Sequence, residues 1–242
     1  MRFDVFEYSN KGGRSYNEDA VAHAINGLNG IFVVADGLGG HQLGEVASAC
    51  VCETLVNNWQ GDFGGNPGAW LHDHIALANQ RVLDIQNEKN TVLKSTVVAL
   101  AVEGGRAVWA NVGDSRLYYI YGNELAAYTN DHSVAFKKYK AGEITRDQIA
   151  TDEDQSSLLR AIGNPDRNEA EVYDYNVTVH PGDAFMLCSD GVWEYLSDEE
   201  VLIDMLKSED AKQWAEHLLV RLMDRIKGEN DNLTILTVMI TQ

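Results

Sequence analysis

Five aspartates stand at similar places in the 242-residue chain. Asp36 follows the apolar run "IFVVA", Asp190 follows "AFMLCS", and Asp114 follows "VWANVG". Asp231 comes just before "NLTILTV", and Asp19, with Glu18 beside it, leads into "AVAHAI". A carboxylate that ends an apolar strand sits at a sheet edge on fixed backbone. One such acid is an ordinary turn residue, but five are a pattern. "ADG" at 35–37 and "SDG" at 189–191 repeat one arrangement. There a glycine lets the chain turn sharply and exposes its carbonyl. Carboxylate and carbonyl oxygens are hard ligands suited to Mg²⁺ or Mn²⁺, with water completing an octahedral shell. Converging carboxylates raise one another's pKa and resist ionising together, a conflict that cations remove. Four or five of them could hold two divalent ions bridged by an aspartate. Two such ions about 3.5–4 Å apart can generate a hydroxide nucleophile and stabilise in-line displacement at phosphorus. The set is rich in neither His nor Cys, which favours this chemistry over zinc.

Other chemistries fit less well. "GLGGHQLG" (37–44) carries four glycines but places Gln42 where a dinucleotide fingerprint needs its third, and it lacks the G-K-[ST] ending of a P-loop. A formal net charge of −18, from 37 acidic and 19 basic residues, opposes long-range attraction to nucleic acid or an anionic membrane. Most of the surface acids serve solubility on the plainest reading; the sharper reading gathers some of them around cations. Cys50, Cys52 and Cys188 are an odd set without framework spacing, expected as buried reduced thiols. No apolar run reaches the roughly 20 residues of a membrane span. The opening "MRFDVFEYSN" lacks a signal-peptide core. A cytoplasmic protein is expected.

The elements that must position these acids follow from periodicity. "IFVVAD" and "DAFMLCSD" read as fully buried strands, as does "NLTILTVMI" (232–240), while "AEVYDYNVTVH" (170–180) alternates as a half-buried one. "STVVALAVEGGRAVWANVGDSRLYYIYGNELAAYT" (95–129) reads as a meander with hairpin connections at "EGG" and "YGNE". Helical spacing covers 43–59, through Val46, Ala49, Cys50, Leu55 and Val56. It also covers 67–87, with Pro67 at the start, and 210–227. "LSDEEVLIDMLK" opens with a capping box, Ser197 and Glu200. Paired helices beside strand meanders predict an α+β fold with two mainly antiparallel sheets and helices outside, in one domain spanning 1–242. The polar segment 133–170 interrupts the strand pattern. It is expected to carry short helices at 133–140 and 145–150 and to act as a flap.

"GGRSYNEDA", "VVADGLGGHQLGEVAS", "NVGDSRLYY", "NDHSVA", "LLRAIG", "LCSDGVWEYLSDEE" and "NDNLTILTV" occur in this order. Together they resemble the motif series of the metal-dependent protein phosphatases, the type 2C serine/threonine class, in its compact bacterial form. The match runs from about residue 5 to residue 240. The resemblance implies a four-layer α-β-β-α sandwich and two Mn²⁺ or Mg²⁺ ions, with room for a third. By position, Arg14 matches the arginine that binds substrate phosphate, and a guanidinium fork suits that role. Glu18 and Asp19 match acids of the metal shell, partly through water. Asp36 matches the aspartate bridging both metals, and Gly37 the glycine whose carbonyl coordinates one. Asp190 and Asp231 match the pair completing the other metal. Asp114 matches a holder of the third, and Asn232 completes a "DN" pair that orients Asp231. Arg14, Asp36 and Asp190 are the residues expected to carry catalysis.

Leu38 stands where animal members carry a histidine that protonates the leaving group. His41 and His132 lie nearby in sequence; His132 is read as a structural hydrogen-bonding residue, and a metal-bound water as the proton donor. The implied reaction is direct attack of a metal-bridging hydroxide on phosphoserine or phosphothreonine, without a covalent phosphoenzyme, and no Cys sits in a C-x₅-R loop to form one. The expected partners are phosphorylated proteins and a serine/threonine kinase acting on the same targets. Three rivals remain at this point: a fold retained without turnover, a two-metal hydrolase of small phosphoesters, and a non-enzymatic cation-binding module.

Overall fold

The computed structural model describes residues 1–39 and 43–242. In chain order its strands are β1 (Arg2–Asn10), β2 (Asp19–Asn26), β3 (Asn29–Gly39), β4 (Leu93–Ser95), β5 (Val97–Glu103) and β6 (Arg106–Val112). β7 (Arg116–Tyr121), β8 (Glu124–Tyr128), β9 (Glu171–Thr178), β10 (Ala184–Cys188) and β11 (Leu233–Thr241) follow. The α-helices are α1 (Gly44–Asn58), α2 (Pro67–Lys89), α3 (Val134–Lys140), α4 (Asp190–Trp193), α5 (Asp198–Leu206) and α6 (Ala211–Arg225).

The strands form two sheets, ordered β1-β11-β10-β7-β8 and β2-β3-β5-β6-β9, with β4 added against the end of β3. Every pairing is antiparallel. The expected four layers are present because apolar residues fill three interlayers. Along β3, Ile31, Val33 and Ala35 face α1 and α2, whereas Phe32 and Val34 face the other sheet. In β11, Leu233 and Ile235 meet α6, and Leu236, Val238 and Ile240 meet the opposite sheet. Burial on both faces explains why these strands read as continuous apolar runs. Each fully buried Leu or Ile among them contributes about 1.5–3 kcal/mol.

Local signals place most helix ends. Asn66 caps α2 by accepting from the Ala69 amide, with Pro67 behind it. Ser197 and Glu200 form the reciprocal capping box of α5. Several expectations need correction. The buried face of α1 is Ala47, Val51, Cys52 and Leu55; of the residues expected there Leu55 is fully buried, whereas Val46, Ala49, Cys50 and Val56 are half-buried. Cys52 and Cys188 are buried free thiols, but Cys50 is half-buried. The second short helix of the polar segment is a 3₁₀ turn over Arg146–Thr151. The run 95–129 is two hairpins, not one meander: after β6 the chain crosses at Gly113–Ser115 into the other sheet. β1, along the whole of β11, carried no strand expectation at all. Among the described residues no helix is long and apolar enough to cross a membrane.

Candidate active site

The acids gather where the two sheets meet at one end. Asp19 opens β2 and lies in register opposite Asp36 of β3. Asp114 lies on the crossover between sheets, Asp190 opens the turn after β10, and Asp231 precedes β11. Asp36 does not end its strand: β3 continues to Gly39, where β4 joins it, and Gly37 pairs with Ser95. The Asp36 amide donates to Thr96 Oγ1 at 3.0 Å, and its carbonyl accepts from the Thr96 amide at 2.8 Å. The carboxylate therefore projects from a strand fixed on both sides.

Gly37 is needed for close approach rather than for a turn. Its amide donates to the Glu18 carbonyl at 3.0 Å. A Cβ there would fall 2.2 Å from the Gly44 carbonyl oxygen and 2.5 Å from that of Glu18. Glu18 is pinned in turn, its Oε1 accepting from the Gly44 amide at 3.1 Å at the start of α1. Gly191 is equally crowded, 2.1 Å from the Asn232 carbonyl oxygen at the Cβ position. The repeated "DG" is thus a packing requirement.

The electrostatics are those of like charges confined together. Burial, then Asp190, Asp19, Asp114 and Asp231, push the Asp36 carboxyl well above the usual carboxylate range. Burial, then Asp190 and Asp131, do the same for Asp114. Asp19 is pushed up to about 7 by burial, against hydrogen bonds from Ser189 and Thr234. Asp190 rises to about 6 through burial and then Asp231, moderated by the Gly191 amide and then by a hydrogen bond with Asp36. Burial also raises Glu18. The cation at the rim is Arg14, 60% exposed, whose Nη2 donates to Asp231 Oδ2 at 2.7 Å.

No three His, Cys, Asp or Glu side chains among the described residues are drawn into a finished metal cage. The donor set still fits hard divalent cations. It consists of carboxylates and a glycine carbonyl, Asp36 is buried beside several like charges, and of the nearby guanidinium groups Arg14 stays at the exposed edge while Arg116 is engaged by Asp131. Added positive charge would relieve the mutual repulsion that lifts these acids. Asp19, Asp36, Asp114, Asp190 and Asp231 act on one another; Glu18 and Gly37 adjoin them through backbone contacts, and Arg14 closes the rim. His41 lies outside the described residues.

Supporting residues were less legible in the sequence. Asn232 Oδ1 accepts from the Glu18 amide at 2.7 Å, and its Nδ2 donates to the Lys11 and Tyr16 carbonyls, each at 2.9 Å. It ties the Arg14 loop to β11, and its backbone amide donates to Asp231 Oδ1 at 2.8 Å. Gly12 holds a positive φ of 57° in that loop, packed on the Asp231 carbonyl. Ser189 Oγ donates to Asp19 Oδ2 at 2.7 Å. Arg116 is buried in a two-point pair with Asp131, at 2.8 and 2.7 Å, and lies over Trp193, whose indole donates to the Asp114 carbonyl. Glu194, one turn after Asp190, is pushed up to about 8 by burial and by Asp190 and Asp231. His132 is the structural residue expected: its Nδ1 accepts from the Gly113 amide, and its Nε2 meets Glu171 at 3.2 Å.

A sandwich of two antiparallel sheets between helices, with clustered aspartates at one end, defines a known class, and sequence comparison agrees. The Protein phosphatase 2C family profile matches residues 8–225. The serine/threonine phosphatase stp of Listeria welshimeri is 32% identical over 232 residues, covering 93% of this chain and 90% of that one. The Mycobacterium tuberculosis serine/threonine phosphatase PstP/Ppp superposes with a TM-score of 0.86 at 27% identity, covering 99% of each chain. The catalytic domain of PstP in complex with two manganese ions gives 0.84 at 26% identity, again over 99% of each. The chain belongs to the protein phosphatase 2C family, in the class of metal-dependent serine/threonine protein phosphatases.

Proposed function

We propose that this end of the sandwich hydrolyses phosphoserine and phosphothreonine in proteins, with Asp36, Gly37, Asp190 and Asp231 holding two Mn²⁺ or Mg²⁺ ions. The observation that carries the reading is a buried Asp36 among four further aspartates, with Arg14 at the exposed rim. Asp36 would be shared by both ions, and the Gly37 carbonyl would serve one of them. Glu18 and Asp19 would act partly through water, and Asp114 would serve a third, weaker position. When bound, the ions activate water for attack at phosphorus and neutralise developing charge. Arg14 grips the equatorial phosphate oxygens through its planar fork, which is free to swing from Asp231 because it is exposed. Asn232 and Gly12 fix the loop that carries Arg14.

Residues 1–242 act as one catalytic domain, with 133–170 as a flap shaping substrate access. The setting is the cytoplasm, opposite a serine/threonine kinase acting on the same targets. The test is phosphate release from a phosphothreonine peptide with and without Mn²⁺. Metal-dependent release that disappears in Asp190→Asn, with the circular dichroism spectrum retained, supports the reading. Full release by that variant, or none by the starting protein, overturns it.

A further inference from the structure

A cleft of about 360 Å³ lies beside the acidic cluster and is not part of it. Lys137 of α3, Arg160 and Arg167 line it, with His132 below and Asp166 and Glu169 among its walls. Asp131 also lines it, but both of its oxygens are engaged by Arg116. The ion pairs among the described residues include neither Lys137, Arg160 nor Arg167. Arg160 Nη1 donates to the Glu169 carbonyl at 3.1 Å and approaches His132 Nε2 at 3.5 Å, while Lys137 and Arg167 are exposed. Three cations without carboxylate partners on one cleft stand out in a chain of net charge −18.

The cleft is bound to the reactive end by short backbone links. The His132 amide donates to the Gly113 carbonyl at 2.9 Å, one residue before Asp114. Leu159 donates to the His132 carbonyl at 2.7 Å. Ile162 pairs with Ser95, whose hydroxyl donates to the Asp36 carbonyl at 3.0 Å. These links join the walls of the cleft to the segments that carry Asp114 and Asp36, and an extended peptide advances about 3.3–3.6 Å per residue from a phosphoresidue held there.

We infer that the Lys137–Arg160–Arg167 cleft selects substrates by taking an Asp or Glu side chain that flanks the phosphoresidue. The inference rests on the phosphatase reading of the neighbouring site. A phosphopeptide approaches an acidic molecule, and local cations offset that repulsion only along the path they line. Asp166 and Glu169 share the walls, so the attraction comes from the excess of three cations over two free carboxylates. Its size is that of exposed ion pairs.

The experiment uses the full chain with Mn²⁺ and phosphothreonine peptides carrying Glu, Ala or Lys in turn at each flanking position. At one or more positions, kcat/KM for Glu should exceed that for Lys by about 5-fold, mostly through KM, and the ratio should shrink with added salt. In the Lys137→Glu, Arg167→Glu double variant the ratio should fall below one, while p-nitrophenyl phosphate turnover is unchanged. A ratio near one at every position in the starting protein, or an unaltered ratio in the double variant, overturns the inference. Loss of turnover on every peptide and on p-nitrophenyl phosphate by the starting protein would instead overturn the phosphatase reading.

Discussion

Asp36 is buried with an uncompensated set of neighbours, so its replacement separates stability from activity. Asp36→Asn removes a group that burial disfavours in its charged form. The apo protein should keep its melting temperature or gain slightly, while manganese-dependent phosphate release is abolished. For the starting protein, Mn²⁺ at about 100 times its dissociation constant should add about 2.7 kcal/mol of stability. That gain, read by calorimetry, should be absent from the variant. Gly37→Ala is the opposite case. Its Cβ would overlap two backbone oxygens that cannot yield, so a loss of about 3 kcal/mol or more is expected in denaturant unfolding. Arg14→Ala should keep the fold and lower kcat/KM by about 10- to 100-fold, the range for hydrogen bonds to charged groups. At this scale the sequence was informative where a residue's own chemistry speaks, as for Asp36 and Asp190. It was silent on Asn232 as a brace for the Arg14 loop, and on the Arg116–Asp131 pair, because those partners meet only through folding.

Among the elements, α5 shows how a local signal becomes tertiary. Glu200 caps its own helix, and its carboxylate also takes hydrogen bonds from Arg221 and Arg225 of α6. The Arg225 bonds lead in holding Glu200 at about 2, below its ordinary 4.5. A depressed carboxyl pKa adds stability that is present above the unfolded value and lost as pH falls from about 4.5 towards 2. The stability difference between the starting protein and Glu200→Gln, which can still cap, should be present in urea unfolding at pH 6 and shrink at pH 3. The capping box was readable because Ser197 and Glu200 are three residues apart. The division of the run 95–129 between sheets was not. Periodicity reports which strands are buried, whereas the crossing brings Ser115 Oγ to Thr96 Oγ1 at 2.7 Å, a contact the pattern does not encode. β1 was missed because "RFDVFEYSN" has only partly buried positions and weak contrast along its length.

Across the whole molecule, the fold class was legible because both sheets are sealed on two faces and their strands say so in composition. The strand order was not, since β1 pairs with β11 from the far end of the chain. The net charge of −18 acts at this scale as self-repulsion. Raising ionic strength from about 0.01 M to 0.15 M shortens the screening length from about 30 Å to 8 Å. The melting temperature should rise by a few degrees over that range in metal-free buffer, and less with Mn²⁺ bound.

The acids come from both halves of the sandwich: Asp19 and Asp36 from one sheet, Asp190 and Asp231 from the ends of the other. A cation gripped by both would act as a rivet through two plates, resisting the slide of one over the other. Amide exchange at the riveted corner, in β3 and in β11 together, should then slow on manganese loading, while the far rim of each plate stays indifferent.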